Sequence, residues 1–346
     1  MLVRAAATTA TRASLPGLRR LWRGARGGGE GAVACFALRR ALLGVRGAEA
    51  AVFLQGLLTN DVTRLAPADT TNGGGGTVPR ALYAHALNAQ GRCLYDVILY
   101  RLHERPEEEP HILLECDNDV LDAIQKHLKL YKIRRKVNIT PCLDLALWAV
   151  VPGESDGDAA SSLAQRVEQD LVLTPDPRAE VMGWRLITKK GANLSEIIPG
   201  GQIRDIEDYH QHRYKQGIPE GIKDLPPGEA LPLESNLAYM NGVSFTKGCY
   251  IGQELTARTH HMGVIRKRLL PVCLSSPLPG DGIPVGTEII TESGKSAGKF
   301  RAGGGELGLA LLRLAHVNEP LCLNLAGDKV KLTARIPEWW PKSSSK

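Results

Sequence analysis

From residue 264 onward the chain is built of short apolar runs, and this constrains its fold more than any other feature. The runs at 264–274, 287–292, 296–302, 306–316 and 328–335 read as strands, with Gly, Pro, Ser and Asp falling between them. Short strands at such intervals close on one another, so a small barrel or sandwich is expected here. Upstream the rhythm differs. A strand at 111–116 precedes a helix from an Asn118 or Asp119 cap, with Val120, Leu121, Ile124, Leu128 and Tyr131 on one face. Strands at 136–140 and 143–151 flank Pro141, 161–171 reads as a surface helix, and 181–188 returns as a strand. That order is β-α-β-β-α-β, the ferredoxin-like plan. Runs at 81–87 and 92–102 form a hairpin through the polar turn 88–91. A helix over 203–216 ends at Gly217 and Pro219 in the expected order. The segment 68–79, with four consecutive glycines, and the acidic stretch 104–110 read as loops.

The chemistry concentrates in Lys247-Gly248-Cys249-Tyr250-Ile251-Gly252-Gln253-Glu254. From Tyr250 the apolar positions Ile251, Leu255 and Met262 suggest a helix that Gly263 terminates. A thiol at a helix N-terminus meets unpaired N–H groups and the positive end of the dipole. With Lys247 close by, the Cys249 thiol is expected to titrate below its free value of about 8.5. Cys249 then reads as a nucleophile, a metal ligand or a redox group. The competing reading is a small buried cysteine in a tight glycine turn, and the spacing does not separate the two. Glu254 favours the dipole from the first turn, while Gly248 and Gly252 admit close backbone approach. His260 and His261 lie about 16 Å along the proposed helix from Cys249, so one metal ion cannot bind all three. They read as a helix-end pair.

The octapeptide resembles the signature of the YgfZ-like proteins, relatives of the glycine-cleavage T-protein. The likeness extends through Leu231-Pro232-Leu233-Glu234-Ser235-Asn236 and Gly242-Val243-Ser244-Phe245, and through Phe53-Leu54-Gln55-Gly56-Leu57-Leu58-Thr59-Asn60-Asp61-Val62. It covers roughly residues 36–335 and is nearest to the mitochondrial branch that assists late iron–sulfur cluster assembly. The resemblance implies an α+β clover-leaf of two mixed α/β (ferredoxin-like) lobes and a C-terminal β-barrel. The lobes would be a discontinuous folate-binding-like lobe (36–102 with 190–263), a ferredoxin-like lobe (103–189) and the barrel (264–336). It also implies residue roles. Gly91-Arg92-Cys93-Leu94-Tyr95-Asp96 is similar to the Gly-x-x-x-Asp-Asp run of T-proteins, whose aspartate contacts folate, with tyrosine in place of the first aspartate. Arg213 stands in an Arg-x-x-x-Gly-Ile-Pro pattern, where it could clamp a folate carboxylate. Lys215 departs from the acidic residue common there. Asp96, Arg213 and Glu254 are thus the candidate pocket for tetrahydrofolate. Read without the resemblance, Asp96 is a structural carboxylate at a strand edge and Arg213 a solvated helix cation.

Composition supports an organellar chain. Residues 1–29 hold six arginines, no lysine and no acid, with apolar Leu15, Leu18, Leu21 and Trp22. This reads as a mitochondrial transit peptide over residues 1–30, addressed to the matrix. The formal charge of +6 resides in that leader. Taking its six arginines from the 43 basic residues leaves 37 against 37 acidic ones, which argues against nucleic acid. Seven scattered cysteines without a Cys-x-x-Cys argue against a disulfide framework and against a self-contained zinc or cluster site. No run reaches the ~18 apolar residues of a membrane span.

Three functions compete. In the first, the chain is an assembly factor that works beside A-type carriers on [4Fe–4S] clusters. Cys249 would be a partner-facing thiol and possible shared cluster ligand, with Lys247 assisting it. One thiolate cannot hold a cluster, so partner cysteines must complete a transient site. In the second, it is a folate-dependent aminomethyltransferase, against which stands Cys249 where such enzymes carry Lys-Gly-Asp-Phe. In the third, it is a non-catalytic adaptor on the same fold.

Overall fold

The computed structural model describes residues 33–67, 78–103, 105, 107–153, 172–277, 283–325 and 328–342. The proposed leader, the glycine-rich segment 68–77 and the helix expected at 161–171 lie outside them.

Strands β1 (Ala34–Ala37) and β2 (Arg40–Arg46) lead into helix α1 (Ala50–Gln55). The hairpin β3 (Ala81–Leu87) and β4 (Cys93–Arg101) follows, then β5 (His111–Asp117), α2 (Leu121–Tyr131) and β6 (Asn138–Pro141). Next come β7 (Leu145–Val151), β8 (Val172–Pro175), β9 (Trp184–Lys189), α3 (Leu194–Ile197) and β10 (Gln202–Ile203). Helices α4 (Ile206–Gln216), α5 (Gly221–Asp224) and α6 (Gln253–Met262) precede the final strands. These are β11 (Lys267–Leu274), β12 (Glu288–Thr291), β13 (Ser296–Gly304), β14 (Leu307–Arg313), β15 (Leu321–Leu325) and β16 (Asp328–Ala334).

They form two five-stranded sheets, ordered β3-β4-β5-β2-β6 and β10-β1-β7-β9-β8, and a closed barrel ordered β11-β14-β13-β12-β15-β16. The barrel expectation is met, with one strand more than the pattern indicated. β15 was missed because Leu321-Cys322-Leu323-Asn324-Leu325 is a five-residue run without a β-branched residue.

The expected ferredoxin-like lobe at 103–189 is corrected. β5, α2 and β6 belong to the first sheet with β2, while β7, β8 and β9 join β1 and β10 in the second. Among the described residues the chain crosses between the two sheets at 38–39 and at 142–144. The order of element types had suggested one unit, but pairing is decided at long range. β5 pairs with β2, Leu43 opposite Leu114, and β7 pairs with β1, Cys35 opposite Val150.

Period-2 alternation sends successive side chains of the first sheet into two cores. Leu82, Ala84, Val97, Leu99, Ile112 and Leu114 face α1 and α2. Tyr83, Ile98, Tyr100 and Leu113 instead meet Leu147, Ala149 and Ile187 of the second sheet. Both faces are therefore buried, and its strands read as unbroken apolar runs. α4, capped by the Asp205 carboxylate and ended by Gly217 in the left-handed region (φ 74°), joins the second sheet to the barrel. Its Gln211 Nε2 donates to the Gly304 carbonyl at 2.6 Å.

Charge is buried between the sheets. Arg40 Nε meets Glu115 at 2.5 Å and its Nη2 meets Asp96 at 3.2 Å. Arg178 takes Asp176 with two nitrogens (3.0 and 2.8 Å) and Glu220 at 2.8 Å. Arg185 Nη2 and the Tyr209 hydroxyl both donate to the same Glu220 oxygen at 2.7 Å. Desolvation alone would push the Glu220 carboxyl up, but Arg178, Arg185, Arg40 and Arg213 outweigh it and hold it well below its usual 4.5. Because its folded pKa is depressed, the stability Glu220 contributes is present above about 4.5 and is lost as pH falls through the lower folded value. Glu220→Gln is expected to lower unfolding free energy by ~3–5 kcal/mol at neutral pH, since it leaves buried guanidinium charge uncompensated. It should also flatten the loss of stability below pH ~4.5. Urea melts of both proteins across pH 3–7 measure the two effects, and parallel pH profiles would reject this role for Glu220.

Candidate functional site

The two segments quoted above for their resemblance, nearly 190 residues apart, dock on one another. The Lys247 ammonium donates to the carbonyls of Gln55 (2.6 Å), Leu58 (2.7 Å) and Asn60 (2.8 Å). These carbonyls end α1 and the turn after it, where backbone acceptors lack helical partners. The Ser244 N–H donates to Thr59 O at 3.0 Å and the Ile251 N–H to Gly56 O at 3.1 Å. The Thr59 hydroxyl donates to Gly242 O at 2.7 Å, and Asn60 Nδ2 to Asn241 O at 2.7 Å. The loop 242–251 is thus laced along the end of α1.

Cys249 stands exposed on this loop. A Cβ built on the neighbouring Gly248 would meet nothing within 4 Å, so the loop faces open space on that side. α6 begins at Gln253, not at Tyr250. Gly252 takes a left-handed φ of 78° there, and a Cβ on it would fall 2.3 Å from the Asn88 carbonyl at the tip of the first-sheet hairpin. Only glycine fits that contact. Cys249 therefore precedes the helix by four residues and does not lie at its first turn, which corrects the expected helix start. Lys247 is committed to the end of α1 and the turn after it. Its ammonium is bound by three carbonyls and lies 5.0 Å from the centre of the Tyr250 ring. Burial pulls its pKa down to about 8, with Asp61 acting in the opposite sense.

α6 carries its polar face outward. Glu254 is exposed and pairs with Arg258 one turn on. The His260 ring stacks on Phe245 at 3.5 Å, which returns the helix to the start of the loop. Met262 and Val264 beyond it are exposed, so Met262 does not lie on a buried stripe. A broad open cleft of about 640 Å³ runs beside the helix, lined by Ala89, Tyr250, Gln253, Ala257, Arg258 and Met262 among others.

Of the three residues assigned to a folate pocket, Asp96 and Arg213 both meet the short helix α5, while Glu254 stands exposed on α6. Asp96 is buried, with one oxygen on Arg40 and the other on the Gly221 N–H at 3.1 Å. Arg213 is buried, not solvated. It pairs with Asp224, and it also donates to His210 Nδ1 at 3.0 Å and to the Tyr214 hydroxyl at 3.2 Å. Glu254 stands on the outer face of α6. With the oxygens of Asp96 and the donors of Arg213 spent inside the protein, this set does not fit tetrahydrofolate. Sequence reasoning missed the partners that occupy them, Arg40 and Asp224, and with them Glu115 and Glu220 of the same buried charge network. It also missed the receiving carbonyls of the Lys247 clamp, although Gln55, Leu58 and Asn60 lie in the quoted N-terminal motif.

The chain is 56% identical to the human mitochondrial iron–sulfur cluster assembly factor IBA57, over 90% of this chain and 86% of that protein. The mouse protein of the same name is 54% identical over the same shares, and the Neurospora crassa homolog is 36% identical over 87% of this chain and 79% of its own length. It belongs to the IBA57 family of mitochondrial iron–sulfur cluster assembly factors. The CAF17 C-terminal β-barrel domain matches residues 266–342, which hold the six barrel strands. The crystal structure of aminomethyltransferase T from Bartonella henselae superposes with a TM-score of 0.68 at 17% identity, over 90% of this chain and 87% of that one. The fold is thus shared with the T-protein, as the resemblance implied.

Within this IBA57-family chain the cysteines divide sharply. Cys249 is exposed, Cys142 half-buried and the other five buried. Burial pushes Cys35 and Cys273 up to about 11 and Cys116 to about 12, which leaves them protonated at neutral pH. Among the described residues no three or more His, Cys, Asp or Glu side chains are grouped to hold a metal ion. None of the described helices is long and apolar enough to cross a membrane.

Lys247→Met removes the clamp's only charged donor and leaves three carbonyls short of a partner. It should destabilise the fold by ~2–3 kcal/mol, the scale of hydrogen bonds to a charged group. Amide exchange should quicken at residues 56–60 and 247–251. Lys247→Arg should not restore protection, because a planar fork cannot serve three converging acceptors. Hydrogen-exchange mass spectrometry reads this directly, and unchanged protection in Lys247→Met would refute the clamp.

Proposed function

We propose that this chain acts in the mitochondrial matrix on late-stage [4Fe–4S] cluster maturation, together with A-type carrier proteins and through the thiol of Cys249. One observation carries the reading: of seven cysteines, Cys249 is the exposed one, on a loop whose flanks are tied to the end of α1. A lone thiolate supplies one ligand where a cluster ordinarily takes four. The cluster is cargo, and cysteines of the carrier complete its ligand set while it passes. That arrangement requires a thiol that a second protein can reach and a loop that does not collapse when the cluster leaves. Open space beside Gly248 meets the first requirement, and the Lys247 clamp meets the second. The exposed Met262 and Val264 near the end of α6 give a carrier an apolar surface to rest on.

The buried commitments of Asp96 and Arg213 weigh against the aminomethyltransferase alternative, which needs both groups free for folate. Cys249→Ser is expected to keep the wild-type melting temperature, because the residue is exposed and its substitution opens no cavity. It should lower cluster delivery at least tenfold in an anaerobic assay with an A-type carrier, followed by visible absorbance and iron content. Undiminished delivery by Cys249→Ser would reject a direct thiol role and leave a non-catalytic adaptor.

A further inference from the structure

A second surface stands apart from Cys249, at the end of α2. Residues 125–140 carry six cations (Lys126, Lys129, Lys132, Arg134, Arg135, Lys136) and no acid. From residue 30 onward the chain has 37 basic and 37 acidic residues. Setting these six aside leaves 31 against 37, so this tip is +6 on a remainder of −6. The charge is concentrated, not spread. Arg135 is paired with Glu49 at 2.8 Å, and the same carboxylate accepts the Lys136 N–H at 2.7 Å, which fastens the base of the turn. Among the described residues no carboxylate pairs with Lys126, Lys129, Lys132 or Arg134.

Large apolar side chains project from the same tip. Leu130 is 69% exposed, Ile133 77% and Tyr131 42%. The projection is rigidly rooted, since Ile124 and Leu128 on one side and Val137 and Ile139 on the other are buried in the core of the first sheet. Between them Arg134 adopts a left-handed φ of 58°, and the Arg135 N–H bonds to Lys132 O at 3.2 Å. This tight turn pushes Ile133 and Arg134 outward. Leu130 and Ile133 are thus held out at a charged tip, with the Tyr131 ring beside them resting partly on His127 at 5.0 Å between ring centres.

We propose that this tip docks on an anionic phospholipid bilayer, with Leu130, Tyr131 and Ile133 entering the headgroup boundary and the free cations level with the phosphates. Cations alone would suit a nucleic acid or an acidic protein face. Neither offers a soft apolar layer beneath a sheet of negative charge, which is what a projecting Leu/Ile pair ringed by Lys and Arg fits. Each cation near such a surface strengthens partitioning about fivefold, and the attraction fades over a Debye length, so binding should weaken with salt.

The test is flotation of the full chain with vesicles of pure phosphatidylcholine or of phosphatidylcholine with about 30% phosphatidylglycerol, enough to give a negative surface potential. The six leader arginines are replaced by glutamine throughout, so that they add no lipid affinity of their own. The expected result is binding to the anionic vesicles alone. Lys126→Gln/Lys129→Gln/Arg134→Asn should weaken it about a hundredfold, three fivefold steps. Leu130→Ser/Ile133→Ser should weaken it at least tenfold at unchanged charge. These side chains are exposed, and thermal melts of each variant verify that the fold is kept. Absence of binding to anionic vesicles overturns the proposal. Binding that survives Leu130→Ser/Ile133→Ser also overturns it, and would identify the tip as a purely electrostatic site for an acidic protein.

Discussion

A single oxygen of Glu220 accepts hydrogen bonds from Arg178, Arg185 and Tyr209, and the two-sheet body is organised around that point. Arg185 comes from β9 of the second sheet, and Arg178 from the turn between β8 and β9. Arg40, Asp96 and Glu115 come from the first sheet, and Tyr209 from the helix that leads to the barrel. Taking so many ions out of water costs several kcal/mol each, and only dense mutual pairing offsets it. Apolar packing between two sheets tolerates sliding and rotation, whereas bidentate guanidinium–carboxylate contacts do not. The lattice therefore fixes the relative placement of the sheets. That is a condition for two distant chain segments to meet at a fixed loop.

The meeting itself rests on weaker, more local chemistry. α1 has only six residues, and its terminal carbonyls would face solvent unless something met them. The Lys247 ammonium meets three acceptors at once, and adjacent backbone bonds from Ser244 and Ile251 make the contact continuous. A point charge with three rotatable donors suits this place better than a guanidinium would. The cation that sequence logic assigned to thiol activation thus holds the loop in place, and Cys249 is presented by geometry.

The sequence disclosed element types well and partnerships poorly. The hairpin 81–87 with 93–101, the amphipathic helix ending at Tyr131, the helix ending at Gly217 and most of the barrel announced themselves through local period and turn chemistry. β7 follows β6 after only three residues, yet the two strands lie in different sheets, and nothing local at Pro141-Cys142 marks that crossing. Asp96 was noticed as a charge in an apolar strand, which does not tolerate an unpaired carboxylate. Arg213 was singled out by the resemblance alone, and its plain reading as a solvated cation failed because that side of the helix faces inward. Their partners, Arg40 and Asp224, could not be singled out, because each looks ordinary in its own segment. The start of α6 was misplaced because Ile251 is apolar for the sake of the first-sheet core and not for a helical stripe.

A fold shared with aminomethyltransferase T need not share its chemistry, and the internal charges give the physical reason. A carboxylate can act on a ligand only if some of its hydrogen-bonding capacity faces that ligand. Asp96 turns one oxygen to Arg40 and the other to a backbone N–H, so freeing it for substrate would strand a buried arginine. The same lattice that holds the two sheets in register withdraws these groups from binding. What the scaffold leaves available is at its edge, where Cys249 projects from a loop tied back on both sides. An exposed thiol placed there can meet a second protein without any rearrangement of the core, which suits a function exercised between macromolecules better than one exercised in a closed pocket.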